Sequence, residues 1–189
     1  MLLKVTHIVN SIFSSRTYIL SCDECGDVWL VDCGDIEKLP NDINVVGVLL
    51  THAHFDHIYG LPTLLQRFPT CKIATNPTGL DTLSDAKKNM SKYHETPITI
   101  SPLHPIICTE GDTIELFPGI TAKIYETPGH HPSCLTYDVG EYLFTGDAYI
   151  PNVTTITNLP GGNKPQAEQS KLRILSFADG KTICPGHEV

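Results

Sequence analysis

Residues 51–60 read THAHFDHIYG, which places three histidines and one aspartate within six residues. This stretch follows directly on INVVGVLL, residues 43–50, an apolar run rich in Val and Ile that predicts a buried strand. Imidazole and carboxylate groups are ligands that zinc and similar divalent metals accept in proteins. A buried strand that ends in such a cluster predicts a metal site at the edge of a sheet.

The spacing within this stretch divides the ligands between two positions. His52 and His54 are two residues apart, and side chains two apart on an extended segment point the same way. Asp56 and His57 lie where the chain enters a helix, so they are expected to face a second point nearby. The strand would hold the loop rigidly while the loop serves two neighbouring metal positions.

Three further ligand-type residues follow apolar strands later in the chain. His130 comes after a Thr-Pro-Gly turn in YETPGHHPSC, and Asp147 follows a glycine in YLFTGDAYI. His187 follows a Pro-Gly turn in TICPGHEV. Four strand ends therefore deliver seven metal-type residues, a pattern that is hard to produce by chance.

The hydrophobic patterning predicts two strand-rich halves, each accompanied by helices. The expected strands are residues 2–9, 17–22, 27–33, 43–51, 112–117, 120–127, 133–139, 141–147 and part of 181–189. Two such halves indicate two sheets packed face to face with helices outside, in one domain over residues 1–189.

Two segments carry a helical pattern. Residues 55–68 have Pro62 in the first turns and a predicted apolar face of Ile58, Leu61, Leu64, Leu65 and Phe68. Residues 163–178 are expected to begin at Asn163 as N-cap and to turn inward Leu172, Leu175 and Phe177. Residues 76–97 are polar and are expected to be helical only in parts.

Composition limits the possible partners and the compartment. The formal net charge is -8, whereas nucleic-acid binders usually present a basic field, so no nucleic-acid partner is expected. No apolar run reaches 18 residues, and the N-terminus lacks the pattern of a signal peptide, so no membrane association is expected. Seven cysteines in such a chain predict free thiols and a cytoplasmic location. No pattern indicates the oligomeric state.

Several residues near the predicted site have two interpretations. Cys22 and Cys25 have CxxC spacing, but their place between two strands favours a hairpin turn. The thiols beside predicted ligand loops are either packing residues, which we favour, or redox-sensitive neighbours of a metal: Cys33, Cys134 and Cys184. His131 either lines a pocket or is structural, whereas His7, His94 and His104 are expected to be structural or exposed.

A lysine cluster also has two interpretations. Lys87, Lys88 and Lys92 predict a solvated helix face, with a cationic rim for an acidic substrate as the alternative.

The ordered motifs resemble those of the metallo-β-lactamase fold superfamily, and the resemblance covers nearly the whole chain. It rests on the HxHxDH motif of residues 52–57, followed in order by His130, Asp147 and His187. The closest subgroup is similar to the small glyoxalase II-like hydrolases, from TPGH, FTGDAYI and NLPGGN. The resemblance implies a four-layer αββα sandwich of two mixed sheets, with a two-metal site at one edge.

The resemblance also implies the role of each ligand. His52, His54 and His130 would hold one ion, Asp56, His57 and His187 the other, and Asp147 would bridge both, with Asp32 supporting the site. The implied cofactor is a pair of divalent ions, with zinc expected and iron or manganese as alternatives. A hydroxide bridging the ions would attack the carbonyl of a small ester, thioester or lactone, and Asp56 would orient it.

Departures from the subgroup keep other functions open. His131 stands where the subgroup usually has Thr, and the sequence given ends two residues after His187, where glyoxalase II members continue into a helical domain. The first alternative is a sulfur (persulfide) dioxygenase with a single iron held by two histidines and an aspartate. A nucleic-acid phosphodiesterase and a non-catalytic binding protein are further alternatives. Substrate specificity is expected in the loops of residues 75–105 and 150–163.

Overall fold

The structure is a computed structural model that describes residues 2–23 and 25–188, and two mixed sheets form its centre. The first sheet has the order β1 (Leu3–Val9), β2 (Arg16–Cys22), β3 (Asp27–Val31), β4 (Asn44–Leu49), β5 (Lys72–Thr75) and β6 (Pro105–Ile107). The pairs β1–β2 and β2–β3 are antiparallel, and β3 to β6 run parallel.

The second sheet is formed by the later strands of the chain. These are β7 (Thr113–Phe117), β8 (Ile120–Glu126), β9 (Leu135–Val139), β10 (Tyr142–Gly146) and β11 (Thr182–Pro185), in the spatial order β11-β10-β9-β8-β7. Only the β10–β11 pair is parallel among the described pairs of this sheet. The helices are α1 (Phe55–Ile58), α2 (Leu61–Arg67), α3 (Pro77–Leu83) and α4 (Lys164–Ser176), with 3-10 turns at Ile36–Lys38 and Ser91–Tyr93.

The period-two alternation of the strands separates three apolar layers. On β3, Trp29 and Val31 pack between the two sheets, whereas Val28 and Leu30 pack towards α1, α2 and α3. On β10, Phe144 belongs to the layer between the sheets, and Leu143 packs with Ile174 of α4. Helices therefore cover both outer faces, and the predicted αββα sandwich is confirmed.

The predicted helix over residues 55–68 is divided into α1 and α2, because the loop after β3 takes over its hydrogen bonds. The Cys33 amide donates to the His57 carbonyl over 2.8 Å, and the Gly60 amide donates to the Cys33 carbonyl over 3.0 Å. A Cβ at Gly60 would lie only 2.0 Å from the Gly34 carbonyl oxygen, so the loop approaches where a side chain would otherwise stand.

The apolar face predicted for this helical segment is present. Ile58, Leu61 and Leu64 are fully buried, and Leu65 and Phe68 pack against the same layer.

The face predicted for α4 is wrong in part. Leu172 is 68% exposed and Leu175 is 44% exposed, whereas Ala167, Ser170 and Ile174 are buried. Gly129 approaches the helix so closely that a Cβ on it would lie 2.2 Å from the Ala167 amide nitrogen. This contact turns the small residues towards the sheet and the leucines outward. Phe177 is partly buried as predicted, and Asn163 caps α4 by accepting from the Gln166 amide over 3.1 Å.

The sequence analysis did not predict β5 and β6, because these strands span only four and three residues. β5 nevertheless lies in the parallel part of the sheet, with Ile73 and Ala74 fully buried. Such short runs carry too little periodicity to be distinguished from loop, and neighbouring strands supply their hydrogen bonds.

The cysteines correct one prediction. Cys22 and Cys25 lie at the predicted hairpin turn between β2 and β3, where their Cα atoms are 5.4 Å apart and a disulfide joins them. The expectation of free thiols is therefore wrong for these two. The other five cysteines are free and buried. Within the described ranges, no helix is long and apolar enough to cross a membrane.

Candidate metal centre

The seven predicted ligand residues come together at one edge of the sandwich. His52 and His54 follow β4, and Asp56 and His57 lie in α1, which begins immediately afterwards. The loop between β8 and β9 carries His130, Asp147 follows β10 and His187 follows β11. Each residue therefore lies in a loop that follows a strand or in the short helix α1.

The first group consists of His52, His54 and His130. Their possible ligand atoms all lie within 4.8 Å of one another. Nδ1 of His54 is 3.0 Å from Nε2 of His130. All three imidazoles are buried, so the group is a compact cluster of nitrogen ligands beneath the surface.

The second group consists of Asp56, His57 and His187. Oδ2 of Asp56 lies 3.3 Å from Nε2 of His57 and 3.3 Å from Nε2 of His187. The two imidazole Nε2 atoms are 3.3 Å apart. One carboxylate and two imidazoles therefore face a common point.

Asp147 lies between the two groups. Its Oδ1 is 3.5 Å from Nε2 of His57, and its Oδ2 is 3.5 Å from Nε2 of His130 and 3.2 Å from Nε2 of His187. Gly186 makes this position possible, because a Cβ there would lie 2.2 Å from Oδ1 of Asp147.

Hydrogen bonds on the far side of three imidazoles determine which nitrogen faces the centre. Nδ1 of His57 donates to Oδ2 of Asp32 over 2.8 Å. Nδ1 of His130 donates to the Ile156 carbonyl over 2.8 Å, and Nδ1 of His187 donates to the Phe13 carbonyl over 2.9 Å. A carbonyl oxygen only accepts, so Nδ1 carries the proton and Nε2 keeps its lone pair for the centre.

Asp32 occupies the supporting position that the resemblance implies. Besides its bond to His57, it accepts from the Thr51 amide over 2.8 Å and from the Thr51 hydroxyl over 2.7 Å. The sequence analysis missed Ile156 and Phe13, since their backbone carbonyls leave no mark on residue type.

The charges at the centre favour bound cations. Burial, followed by the neighbouring histidines, holds the pKa of His52 well below its usual value and lowers that of His54 to about 3. Burial also acts to lower the pKa of His187, but the Asp147 and Asp56 carboxylates outweigh it and raise that pKa to about 10. Metal ligation requires neutral imidazoles and ionised carboxylates. His52 and His54 therefore already have the protonation state of ligands, whereas His187 is protonated without metal and a bound cation would displace its proton.

Two buried polar atoms test whether these residues fit a metal. Nε2 of His52 and Oδ1 of Asp147 have no hydrogen-bond partner among the described residues. Buried polar atoms are normally satisfied, and a cation at this point would satisfy both. The donor set of imidazole nitrogens and carboxylate oxygens suits zinc, iron or manganese, so the residues fit divalent metal.

A cavity of about 520 Å³ opens beside the centre. Its walls include His54, Asp56, His130, Asp147 and His187. Much of the remaining wall comes from two segments, residues 150–159 and the segment around Met90 and His94. These segments belong to the two loops for which the sequence predicts substrate specificity. His94 had been expected to be structural or exposed, but it lines this cavity.

The neighbouring residues with two interpretations take structural places. Nδ1 of His131 accepts from the Ser133 amide over 3.1 Å, its ring lies 4.8 Å from that of His54, and the cavity lining does not include it. Cys33, Cys134 and Cys184 are buried, and burial raises the pKa of each thiol, which favours packing. The lysine cluster contributes nothing to the described lining, and Lys88 pairs with Asp81 over 2.6 Å.

The αββα sandwich with histidines and carboxylates gathered at one edge defines a class of metal-site proteins. A family model described as the Metallo-beta-lactamase superfamily matches residues 26–187, and the chain belongs to this superfamily. The hydroxyacylglutathione hydrolase of Hydrogenovibrio crunogenus is 27% identical over 186 residues, covering 91% of this chain and 58% of that protein. The chain spans roughly half the length of the curated relatives that it matches, with 58% and 46% covered in two of them.

Solved structures share the fold. The BLEG-1 B3 metallo-beta-lactamase superposes with a TM-score of 0.83 at 23% identity, over 98% of this chain and 92% of that one. The di-iron-bound form of TTHA1623 superposes with a TM-score of 0.79 at 22% identity, over 97% of this chain and 92% of that one.

Proposed function

We propose that the protein is a hydrolase with a binuclear metal centre, similar to glyoxalase II, that acts on a small ester, thioester or lactone. The observation that carries this proposal is the position of Asp147, whose carboxylate lies within 3.5 Å of imidazole nitrogens from both ligand groups. One carboxylate shared by two groups is the arrangement expected for two adjacent ions. The relationship to hydroxyacylglutathione hydrolases supports the reaction class.

The proposal assigns each residue a role. His52, His54 and His130 would hold one ion, and Asp56, His57 and His187 would hold the other. Asp147, which lies between the two groups, would serve both. When bound, divalent metals polarise a substrate carbonyl and make water nucleophilic at neutral pH. Zinc is the expected metal. Iron is the leading alternative, because the related fold of TTHA1623 has a di-iron-bound form, and manganese also suits this donor set.

Asp56 is the proposed catalytic residue, because it belongs to the second group and also lines the cavity. Burial would raise its pKa, but the charges and hydrogen bonds of His57 and His187 outweigh burial and hold that pKa well below its usual value. Asp56 is therefore ionised at neutral pH, where its oxygen orients the attacking water and accepts its proton.

The cavity volume supports a small-molecule substrate, since ligand sites commonly enclose ~300–1,000 Å³. We expect no nucleic-acid or membrane partner, in keeping with the net charge of -8. Five free cysteines favour a cytoplasmic location as part of this proposal, although the Cys22–Cys25 disulfide is of a kind that is more usual in oxidising compartments.

The test combines metal counting with turnover. The protein is loaded with zinc or with iron and assayed against esters, thioesters, lactones and lactams. We expect two ions per chain and hydrolysis, with Asp147→Asn losing binuclear occupancy because an amide oxygen ligates these ions weakly. One ion per chain together with an absence of hydrolysis would reject the proposal.

A mononuclear iron dioxygenase is the second candidate. His52, His57 and Asp147 form a group of two histidines and one carboxylate, a ligand set typical of non-haem iron oxygenases. Oxygen consumption with a persulfide by iron-loaded protein, without hydrolysis by zinc-loaded protein, would favour this candidate.

A further inference from the structure

The cavity beside the metal centre is apolar over most of its wall. The apolar side chains that line it are Phe13, Phe55, Met90, Ile150, Val153, Ile156 and Leu159. Several of them are open to solvent, with Phe13 69% exposed, Ile156 54% exposed and Val153 38% exposed. Exposed apolar side chains gathered around one opening are typical of a surface that receives an apolar ligand.

The ionisable residues of the cavity also favour an uncharged ligand. Apart from the ligand residues, its ionisable lining residues are His94 and the exposed Glu188, and the described lining contains neither Lys nor Arg. The His94 ring lies against that of Phe55, with centroids 4.1 Å apart. An anionic group on a substrate would therefore meet the Glu188 carboxylate and no Lys or Arg of the described wall, and His94 is the one imidazole there outside the ligand set.

The apolar wall is tied directly to the metal ligands. Phe13 and Ile156 hold His187 and His130 through their backbone carbonyls while their side chains line the cavity. Phe13 has a φ of 53°, a left-handed conformation that is uncommon for a bulky residue. The residue whose backbone orients the His187 imidazole thus also lines the cavity, and its ring centroid lies 6.1 Å from that of His94.

We propose that this cavity receives an uncharged, apolar acyl chain whose carbonyl lies at the metal centre. This inference rests on the proposed function and names its substrate class. Water adds its oxygen to the acyl carbon, the acyl C–O or C–S bond breaks, and a proton of the water goes to the leaving oxygen or sulfur. The products are an apolar carboxylic acid and an alcohol or thiol.

The first experiment measures binding without turnover. Methyl ketones of increasing chain length, in which carbon replaces the leaving atom, are titrated into metal-loaded protein and followed by NMR. Each added methylene is expected to tighten binding about fourfold until the cavity is full. Affinity that does not change with chain length would overturn the proposal.

The second experiment measures how a negative charge on the leaving group changes kcat/KM. Two thioesters with the same medium-length acyl chain are compared, one of a neutral thiol and one of anionic glutathione, alongside esters of increasing acyl length. We expect kcat/KM to rise with acyl length and to favour the neutral thiol. A preference for short acyl chains and for glutathione would overturn the proposal.

Matched variants locate the effect. Val153→Arg places a cation at the exposed mouth of the cavity, whereas Leu172→Arg makes the same change on the outer face of α4. Val153→Arg is expected to weaken binding of the longest ketone at least tenfold, and Leu172→Arg to leave it unchanged. Equal affinities in the two variants would place the chain elsewhere and overturn the proposal.

The outcomes distinguish this inference from the function on which it rests. One outcome is that ketone affinity rises with chain length but no ester or thioester is hydrolysed. This result would support a cavity for apolar ligands and reject the hydrolase. Hydrolysis without dependence on acyl length in either experiment would retain the hydrolase and reject the apolar acyl chain.

Discussion

Nδ1 of His57 donates a hydrogen bond of 2.8 Å to Oδ2 of Asp32, a buried carboxylate at the end of β3. The same oxygen accepts from the Thr51 hydroxyl, and the other oxygen accepts from the Thr51 amide. Asp32 thereby joins two neighbouring strands and determines which nitrogen of His57 faces the centre. Among the seven ligand residues, Asp32 forms a hydrogen bond only with His57. The orientation of this ligand thus depends on a residue outside the ligand set.

Asp32→Asn is expected to lower metal affinity about 10–100-fold while the protein stays folded. The amide NH₂ would face donors at Thr51 or His57, and the φ of 58° at this position suits Asn as well as Asp. Competition with a chromophoric chelator measures the affinity. Asp27→Asn, on the exposed start of β3, is the control. Equal affinities in the two variants would show that Asp32 does not support the ligands.

Asp56→Asn is expected to reduce hydrolysis by ~10²–10⁴ because an amide cannot accept the proton of the attacking water. The group formed by His52, His54 and His130 should keep its metal. Turnover and metal content are measured on the same sample, so that a catalytic loss is separated from loss of metal. Near wild-type hydrolysis at unchanged metal content would remove Asp56 from the mechanism.

Gly186→Ala is expected to disrupt the centre although Ala is small. The added Cβ would lie 2.2 Å from Oδ1 of Asp147 and 2.9 Å from Cε1 of His57, so at least one ligand must move. Metal content per chain should fall clearly, whereas the melting temperature of the metal-free protein should change little. Gly26→Ala is the control, since a Cβ there meets nothing within 4 Å. Full metal content in Gly186→Ala would contradict the close approach.

Metal content and thermal stability are expected to fall together between neutral and mildly acid pH. Protons compete with metal for the imidazole lone pairs. The competition begins at His57 and His187, whose pKa values the neighbouring carboxylates raise despite burial, whereas burial lowers the pKa values of His52 and His54 and keeps their lone pairs free to lower pH. Bound metal adds to the free energy of unfolding, so its release lowers the melting temperature. Metal analysis after dialysis at each pH, paired with thermal unfolding, provides the check. Full metal content at pH 4 would be the contrary result.

Asp35→Asn is expected to destabilise the metal-free protein at neutral pH by about 2 kcal/mol. Burial would raise the pKa of Asp35, but hydrogen bonds from Lys38, Tyr59 and Ser11 outweigh it and lower that pKa to about 2. A depressed carboxyl pKa stabilises the fold above the unfolded value near ~3.9, and this contribution is lost as pH falls towards the folded value.

Urea unfolding at several pH values measures this contribution. The difference between wild type and Asp35→Asn should be constant from pH 7 to about 5 and should narrow between about pH 4 and 2. Asp42→Asn, at an exposed turn, is the control. A difference that does not change with pH would assign the effect to packing and not to charge.

The ends of the structural elements show where sequence reasoning was insufficient. The apolar face of residues 58–68 followed from periodicity, but the break at Gly60 depends on the Cys33 loop, which is distant in sequence. The outward Leu172 and Leu175 depend on the approach of Gly129 to Ala167. In each case a contact between distant segments overrides a local pattern, and such contacts are not encoded in the spacing of one segment.

By itself, the sequence determined the αββα class and the seven residues that gather at its edge, because strand-end ligands are visible in the order of residue types along the chain. The tertiary structure alone decided that Asp147 lies between the two groups. It also decided that the Phe13 and Ile156 carbonyls orient two imidazoles and that the cavity wall is apolar. The physical reason is that ligand chemistry belongs to each side chain, whereas distances, backbone acceptors and enclosed surfaces arise only when distant segments pack together.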